Sequence, residues 1–249
     1  SIPEYMTITL RDANGNPKRA LYKSELMMLE MLANANWERP IYMAITVGSE
    51  NHLGMGNHFT QEGLAYRFTD KLDSKIDSEK MYDNLMNKFK FGGIDKPGIY
   101  IDENVMRMCY THRRIFTQLV GQLIKEGKKD KALAALDYAE KMIPAINVPY
   151  DWANGAFQMA ESYYQLGQNE KANKIIDELA NKSLEYMIWY LSLNDNQLAI
   201  ASENFVYNAS LLDAEVRLME KYKSEELAKH YSTQLDQLYN EYVTRMKGK

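Results

Sequence analysis

The sequence predicts an α+β protein, with a small mixed α/β N-terminal subdomain at residues 1–100 and an α-helical repeat subdomain at residues 101–249. In the first hundred residues, short alternating apolar stretches are separated by glycine and proline, which is typical of strands and turns. Past Asp102, apolar residues recur every three or four positions almost to the end, which is the period of an amphipathic helix.

The N-terminal subdomain carries signals for three strands and two helices. Residues 6–10 alternate and predict a strand, and Ser24 is placed as the cap of the first helix. Residues 41–47 are apolar on both faces, which predicts a central strand, and residues 64–68 predict its partner. Ser78 is placed as the cap of the second helix.

The C-terminal subdomain opens with a long helix whose apolar stripe runs from Val105 to Leu123. A pattern of small and apolar residues then occurs twice, forty residues apart, and predicts two tetratricopeptide-like helical hairpins. Two longer helices are predicted at residues 196–221 and 224–246. The repeated positions are Leu119, Leu123, Gly127, Ala132, Leu136, Ala139 and Pro144, and then Met159, Ala160, Tyr163, Gly167, Ala172, Ile176 and Leu179.

Composition and motif content exclude several classes of function. The formal charge of -4 and the pI of about 5.7 speak against nucleic-acid binding, and no apolar stretch is long enough for direct membrane insertion. The single Cys109 excludes an intramolecular disulfide, and together with His112 it is interpreted as packing on the helical stripe. Neither a G-x-S-x-G elbow nor a glycine-rich phosphate loop occurs, so no catalytic residue and no cofactor are predicted.

The loop at residues 48–61 contains two histidines that are candidate metal ligands. His52 and His58 lie near Glu50 and Glu62, but their spacing matches none of the usual ligand patterns. They are interpreted as solvated loop residues, and no metal is predicted. An alternative reading remains: an independent enzyme or small-ligand-binding protein with a cleft at the His52–Glu62 loop.

The repeat pattern also predicts a surface. In a tetratricopeptide hairpin the first helix of each repeat lines a groove, and its composition here suits an extended peptide or protein segment. Gly121 and Ile124 fall on the same face. The predicted groove residues are Arg114, Thr117, Lys125, Asn154, Phe157, Glu161, Tyr164 and Gln165. The alternative is that later helices cover the groove and bury Phe157 and Tyr164.

Two motifs in the first region carry a family resemblance. The pattern W-x-R-P-I-Y, followed by E-G-L-x-Y-R, resembles the soluble C-terminal part of a family of large bacterial multi-spanning membrane proteins. The transmembrane part of that family is similar to the protein O-mannosyltransferases, which are glycosyltransferases of the lipid-sugar-dependent type. The motif residues are Trp37, Arg39, Pro40, Ile41 and Tyr42, and then Glu62, Gly63, Leu64, Tyr66 and Arg67.

The resemblance implies that the chain is the extracytoplasmic, periplasmic accessory domain of a membrane glycosyltransferase-like protein. Sugar transfer would then belong to the membrane part, and this chain would be non-catalytic. The expected partner is a protein or peptide segment, with the membrane part of its own parent chain as one candidate. Trp37, Arg39 and Pro40 are also open to a purely structural interpretation, in which Pro40 ends a helix and Trp37 packs at its junction with the next strand.

Overall fold

The computed structural model describes residues 6–12, 14–73 and 75–247. The chain divides into two compact units, Ser1–Lys90 and Phe91–Lys249. The division falls slightly before the boundary placed near residue 100, because Phe91 packs on Phe116 and Tyr138 of the helical unit. The α+β class is confirmed, with a small sheet in the first unit and helices throughout the second.

The first unit contains a three-stranded antiparallel sheet in the order β1-β3-β2. The elements are α1 (Lys23–Asn34), β1 (Tyr42–Ala44), β2 (Phe59–Gln61), β3 (Ala65–Phe68) and α2 (Ser78–Asp83), followed by a π-helical turn at Asn84–Lys88. The predicted pairing of β1 with β3 is confirmed, with Tyr42 opposite Arg67. The prediction that residues 41–47 form the central strand is wrong. β3 is central, because β2 forms within the predicted loop and pairs with its other edge.

The core of the first unit comes largely from that loop. Leu53, Met55 and Phe59 are buried, and residues of α1 pack against them. Residues 6–10 form no regular strand, although Ile8 and Leu10 contact the same cluster. Helix α1 is capped at Tyr22 rather than Ser24. The cap of helix α2 is Asp77 rather than the predicted Ser78, and the carboxylate of Asp77 accepts a hydrogen bond from the backbone N–H of Lys80.

The second unit consists of helical hairpins. Its helices are α3 (Glu103–Lys125), α4 (Lys129–Met142), α5 (Ala156–Gln165), α6 (Asn169–Leu191), α7 (Asp195–Ile200), α8 (Ser202–Lys221) and α9 (Glu225–Lys247). The apolar helix positions predicted from the repeated pattern are buried. The predicted helix at 196–221 is divided at Ala201 into α7 and α8, and α6 continues to Leu191. Within the described ranges, no helix is both long and apolar enough to cross a lipid bilayer.

A buried arginine holds the connection between the first two hairpins. Arg113 of α3 is 1% exposed. Its terminal nitrogens donate to the carbonyls of Ile143 (2.8 Å), Val148 (2.7 Å) and Pro149 (3.1 Å). The guanidinium also lies over the ring of Tyr150, at 5.1 Å from its centroid. The connection after α4 is therefore bound to the middle of α3 by three charge-assisted hydrogen bonds.

Candidate functional site

The two sequence motifs meet at one pocket of the first unit. Its volume is about 330 Å³. The first motif reaches it from the turn after α1 and from β1, and the second from β3, where Arg67 is the register partner of Tyr42. The lining residues are Leu32, Ala35, Trp37, Arg39, Pro40, Ile41, Tyr42, Arg67, Phe68 and Lys80. We call this site the motif pocket.

The turn after α1 fixes the aromatic wall of the motif pocket. Asn36 and Trp37 have φ angles of 47° and 59°, in the left-handed region that costs non-glycine residues about 1–3 kcal/mol each. The indole of Trp37 is stacked on Phe68 of β3, with the ring centroids 5.7 Å apart and an interplanar angle of 11°. This stacking helps to hold the strained turn, and Pro40 then leads the chain into β1.

A buried carboxylate organises the polar side of the motif pocket. The side chain of Glu62 is 3% exposed. Its Oε2 accepts a hydrogen bond from the hydroxyl of Tyr42 (3.1 Å) and is 2.7 Å from Nζ of Lys80. Its Oε1 forms an ion pair with Nε of Arg67 at 2.6 Å, without the alignment of a hydrogen bond. The hydrogen bond to Glu62 raises the pKa of Lys80, so the lysine stays charged.

The backbone around Gly63 places Glu62 under the pocket. Gly63 has a φ of 136°, and a Cβ at this position would lie 3.2 Å from the ring of Phe89. The carbonyl of Glu62 accepts a hydrogen bond from Nδ2 of Asn84 (2.7 Å), and the carbonyl of Gly63 accepts one from Nε2 of Gln61 (3.1 Å). The structure therefore explains why the second motif has glycine at this position, because a side chain would disturb the turn.

The motif residues Leu64 and Tyr66 and the two loop histidines lie outside the pocket lining. His52 is 9% exposed and packs against the rings of Phe59 (5.1 Å) and Tyr66 (6.1 Å). Its Nε2 has no hydrogen-bond partner in the part of the chain that the structure describes. The prediction that His52 is a solvated loop residue is therefore wrong. Nδ1 of His58 is 3.2 Å from the carbonyl oxygen of Thr69, and no metal-binding group of His, Cys, Asp or Glu occurs among the described residues.

Three predicted groove residues of the helical unit, Thr117, Asn154 and Tyr164, are buried, which corrects their assignment to an open groove. Asn154 is 0% exposed, and its side chain donates to the carbonyl of Pro149 at 2.8 Å. Tyr164 is 4% exposed because Tyr222, at the end of α8, stacks on it with centroids 4.7 Å apart. The Tyr164 hydroxyl donates to Oδ1 of Asn173 at 2.5 Å.

Side-chain contacts engage several of the predicted groove residues, and three members of the set are exposed. Thr117 is buried, and its hydroxyl donates to the carbonyl of Arg114. Phe157 is half-buried and stacks on Trp152 at 4.2 Å. Glu161 forms an ion pair with Lys221 at 2.9 Å. The exposed members of the set are Arg114, Lys125 and Gln165.

Helix α6 presents an aromatic surface that the sequence analysis did not identify. Tyr186 is 46% exposed and Trp189 is 55% exposed. Together with Lys182 and Glu185 they line a shallow depression of about 500 Å³. The four residues lie at helical spacing on one face. That spacing was readable from the sequence, but their exposure depends on where the neighbouring helices lie.

The helical unit also contains a buried carboxyl group. Glu215 of α8 is 0% exposed. Its Oε1 accepts hydrogen bonds from Nε1 of Trp152 (2.6 Å) and from the hydroxyl of Ser183 (3.3 Å). Its Oε2 has no partner within the described residues. Burial raises the pKa of Glu215 to about 7, against the lowering effect of the two hydrogen bonds. The sequence signal was a glutamate on the apolar face of a helix, beside Leu212 and Val216.

Comparison with known proteins links the first unit to one family. Residues 1–85 match the family model of TMEM260-associated domain 2. All residues of the two motifs lie within the matched stretch. No curated protein and no solved structure matches the chain significantly.

Proposed function

We propose that the chain is a non-catalytic, extracytoplasmic accessory part of a membrane glycosyltransferase-like protein, and that its first unit binds a ligand in the motif pocket. One observation carries the ligand-binding part of this proposal. The residues of two separate sequence motifs, together with Lys80, converge on a single pocket with an aromatic wall and several charged groups. Ligand pockets commonly combine apolar walls with a few well-placed polar groups.

The state of Glu62 supports binding rather than catalysis. A general base needs a carboxylate that can accept the substrate's proton. Glu62 is the buried carboxylate of this site, and both of its oxygens are engaged by the side chains of Tyr42, Lys80 and Arg67. In this arrangement it positions two cations, and both of its oxygens are occupied by these contacts.

The accessory role and the location rest on the resemblance and on the family match. In the bacterial family that the motifs resemble, the proposed sugar transfer belongs to the membrane part, and the soluble part lies on the extracytoplasmic side. The match of residues 1–85 to a TMEM260-associated domain is consistent with an accessory position beside a membrane part.

A pocket variant in the complete protein tests this proposal. We expect Arg39→Gln, expressed within the full reading frame, to lower protein glycosylation measured by mass spectrometry of the source cells. Arg19→Gln is the matched control, because Arg19 is an exposed cation of the same unit outside the pocket lining. The purified chain should not turn over a lipid-linked sugar donor. Turnover by the chain alone, or identical glycosylation in both variants, would contradict the proposal.

Binding of a protein segment is the second candidate function, and the aromatic surface of α6 supports it. The buried groove residues leave less of the predicted groove available, whereas Tyr186 and Trp189 are about half exposed. Aromatic residues are enriched at protein interfaces. The double variant Tyr186→Ser/Trp189→Ser should abolish crosslinking to the membrane part of the parent, and Tyr207→Ser, at an exposed tyrosine of α8, should preserve it.

A further inference from the structure

We infer that the motif pocket is a site for a phosphomonoester group attached to a small ring or lipid. This inference rests on the proposed ligand-binding function and adds the chemical class of the ligand. Three properties of the pocket lead to it: its net charge, the hydrogen-bond donors that remain available, and its aromatic wall.

The charge of the pocket suits a dianion. Arg39, Arg67 and Lys80 contribute three positive charges to the lining, and Glu62 beneath them contributes one negative charge. The net charge is therefore about +2. A phosphate monoester carries about -1.5 to -2 at neutral pH and matches this charge. A carboxylate carries only one negative charge and would leave part of the positive charge uncompensated.

Both arginines of the pocket have N–H groups that are available to bind a phosphate. Arg67 contacts Glu62 through its Nε, and its two terminal nitrogens donate no hydrogen bond to a residue that the structure describes. Arg39 is exposed and has no ion pair or hydrogen bond to another described residue. A guanidinium binds phosphate through two parallel N–H groups, so both side chains are suited to a phosphate without breaking an existing contact.

The aromatic wall and the volume limit the rest of the ligand. Trp37 is stacked on Phe68, yet 36% of its surface remains exposed at the pocket. An apolar ring face of the ligand can pack there. A volume of about 330 Å³ is near the lower end for ligand sites, which leaves room for a phosphate and one ring, or for a phosphate headgroup whose chain leaves the pocket.

Direct binding measurements on the purified chain test this inference. The probes are inorganic phosphate, glucose 1-phosphate, methyl glucoside, and phosphatidylcholine vesicles with and without phosphatidic acid. The readouts are calorimetric affinity and the indole N–H resonance of Trp37, which is distinguishable from those of Trp152 and Trp189 in the other unit. The variants are Arg39→Gln and the control Arg19→Gln.

We expect glucose 1-phosphate or phosphatidic acid to shift the Trp37 resonance, and methyl glucoside to leave it unchanged. A stronger response to the vesicles assigns a lipid headgroup, and a stronger response to glucose 1-phosphate assigns a soluble ligand. Arg39→Gln should weaken binding at least tenfold and Arg19→Gln less than twofold, with both variants keeping the wild-type circular dichroism spectrum.

Three results would overturn the assignment. Equal binding of methyl glucoside and glucose 1-phosphate would show a neutral-ligand site and would leave the proposed function intact. Absence of any Trp37 shift with all phosphate probes, or equal losses in the two arginine variants, would refute the phosphate site. The proposed function has its own test: it is refuted if Arg39→Gln leaves glycosylation by the complete protein unchanged, whatever the phosphate measurements show.

Discussion

Replacing Glu215 with glutamine is expected to remove a pH-dependent loss of stability from the helical unit. The carboxyl group is buried, and only one of its oxygens is hydrogen-bonded within the described residues. Glutamine has nearly the same shape and keeps an oxygen that can accept from Trp152 and Ser183. It carries no charge at any pH, so the ionisation of this buried group is the property that the substitution removes.

The sign and the size of this pH-dependent change in stability follow from the pKa of Glu215. Burial raises this pKa from 4.5 to about 7, so between these values the folded state holds a proton that the unfolded state has lost. The free energy of unfolding contributed by this group therefore falls as the pH rises from about 4.5 to about 7. A difference of about 2.5 between the two pKa values corresponds to about 3 kcal/mol. Tyr231 of α9 does not titrate in this range, because burial and its hydrogen bond to Asp177 raise its pKa.

Urea unfolding followed by circular dichroism, which reports mainly on the helices, measures the effect. Between pH 4 and pH 8, the difference in unfolding free energy between Glu215→Gln and wild type should move by about 3 kcal/mol in favour of the variant. Glu220→Gln is the control, because Glu220 is an exposed residue of the same helix. A difference between Glu215→Gln and wild type that stays constant with pH would show that the buried carboxylate ionises without penalty, and would refute the reasoning.

Two further predictions concern the helical unit, and both are checked by the same urea unfolding. Arg113→Ala should lower the free energy of unfolding by at least about 3 kcal/mol, because the buried carbonyls of Ile143 and Val148 lose their donor. Arg114→Ala at the exposed neighbour should change it by less than about 0.5 kcal/mol. Gly155→Ala should lower the free energy of unfolding by more than Gly127→Ala does. Both glycines have left-handed φ angles (80° and 75°), but only at Gly155 would a Cβ lie 3.0 Å from the side chain of Thr117. Equal costs within either pair would contradict the packing argument.

The sequence predicted the helices well because their signal is local. The stripe of α3 and the repeated positions around Gly127 and Gly167 depend only on spacing, and these positions are buried as expected. Strand β2 was missed for the opposite reason. Residues 59–61 follow a glycine- and asparagine-rich loop and are too few to show alternation, and they become a strand only because β3 offers a free edge.

The candidate site was predictable only in part. Five residues of the site could be identified from the two sequence motifs, and all of them line the motif pocket or lie beneath it: Trp37, Arg39, Tyr42, Glu62 and Arg67. Lys80 carries no local signal, because its role depends on α2 packing beside the sheet and bringing its ammonium to 2.7 Å from Glu62.

The groove assignment failed at the level of tertiary packing. The repeat pattern assigns Tyr164 to a groove-lining position, and nothing near it in the sequence indicates that Tyr222 covers it. The two residues are far apart in the chain, and their contact depends on how α8 returns across α5 and α6. Helical periodicity alone cannot supply that information.

The three hydrogen bonds of Arg113 restrict movement within the helical unit. A long connection between two hairpins would ordinarily act as a hinge and allow the hairpins to swing. Here three of its carbonyls are bound to the middle of α3, and the ring of Tyr150 rests against the same guanidinium. The connection therefore resists bending, because bending would draw its carbonyls away from a buried guanidinium, and the relative orientation of the first two hairpins is held.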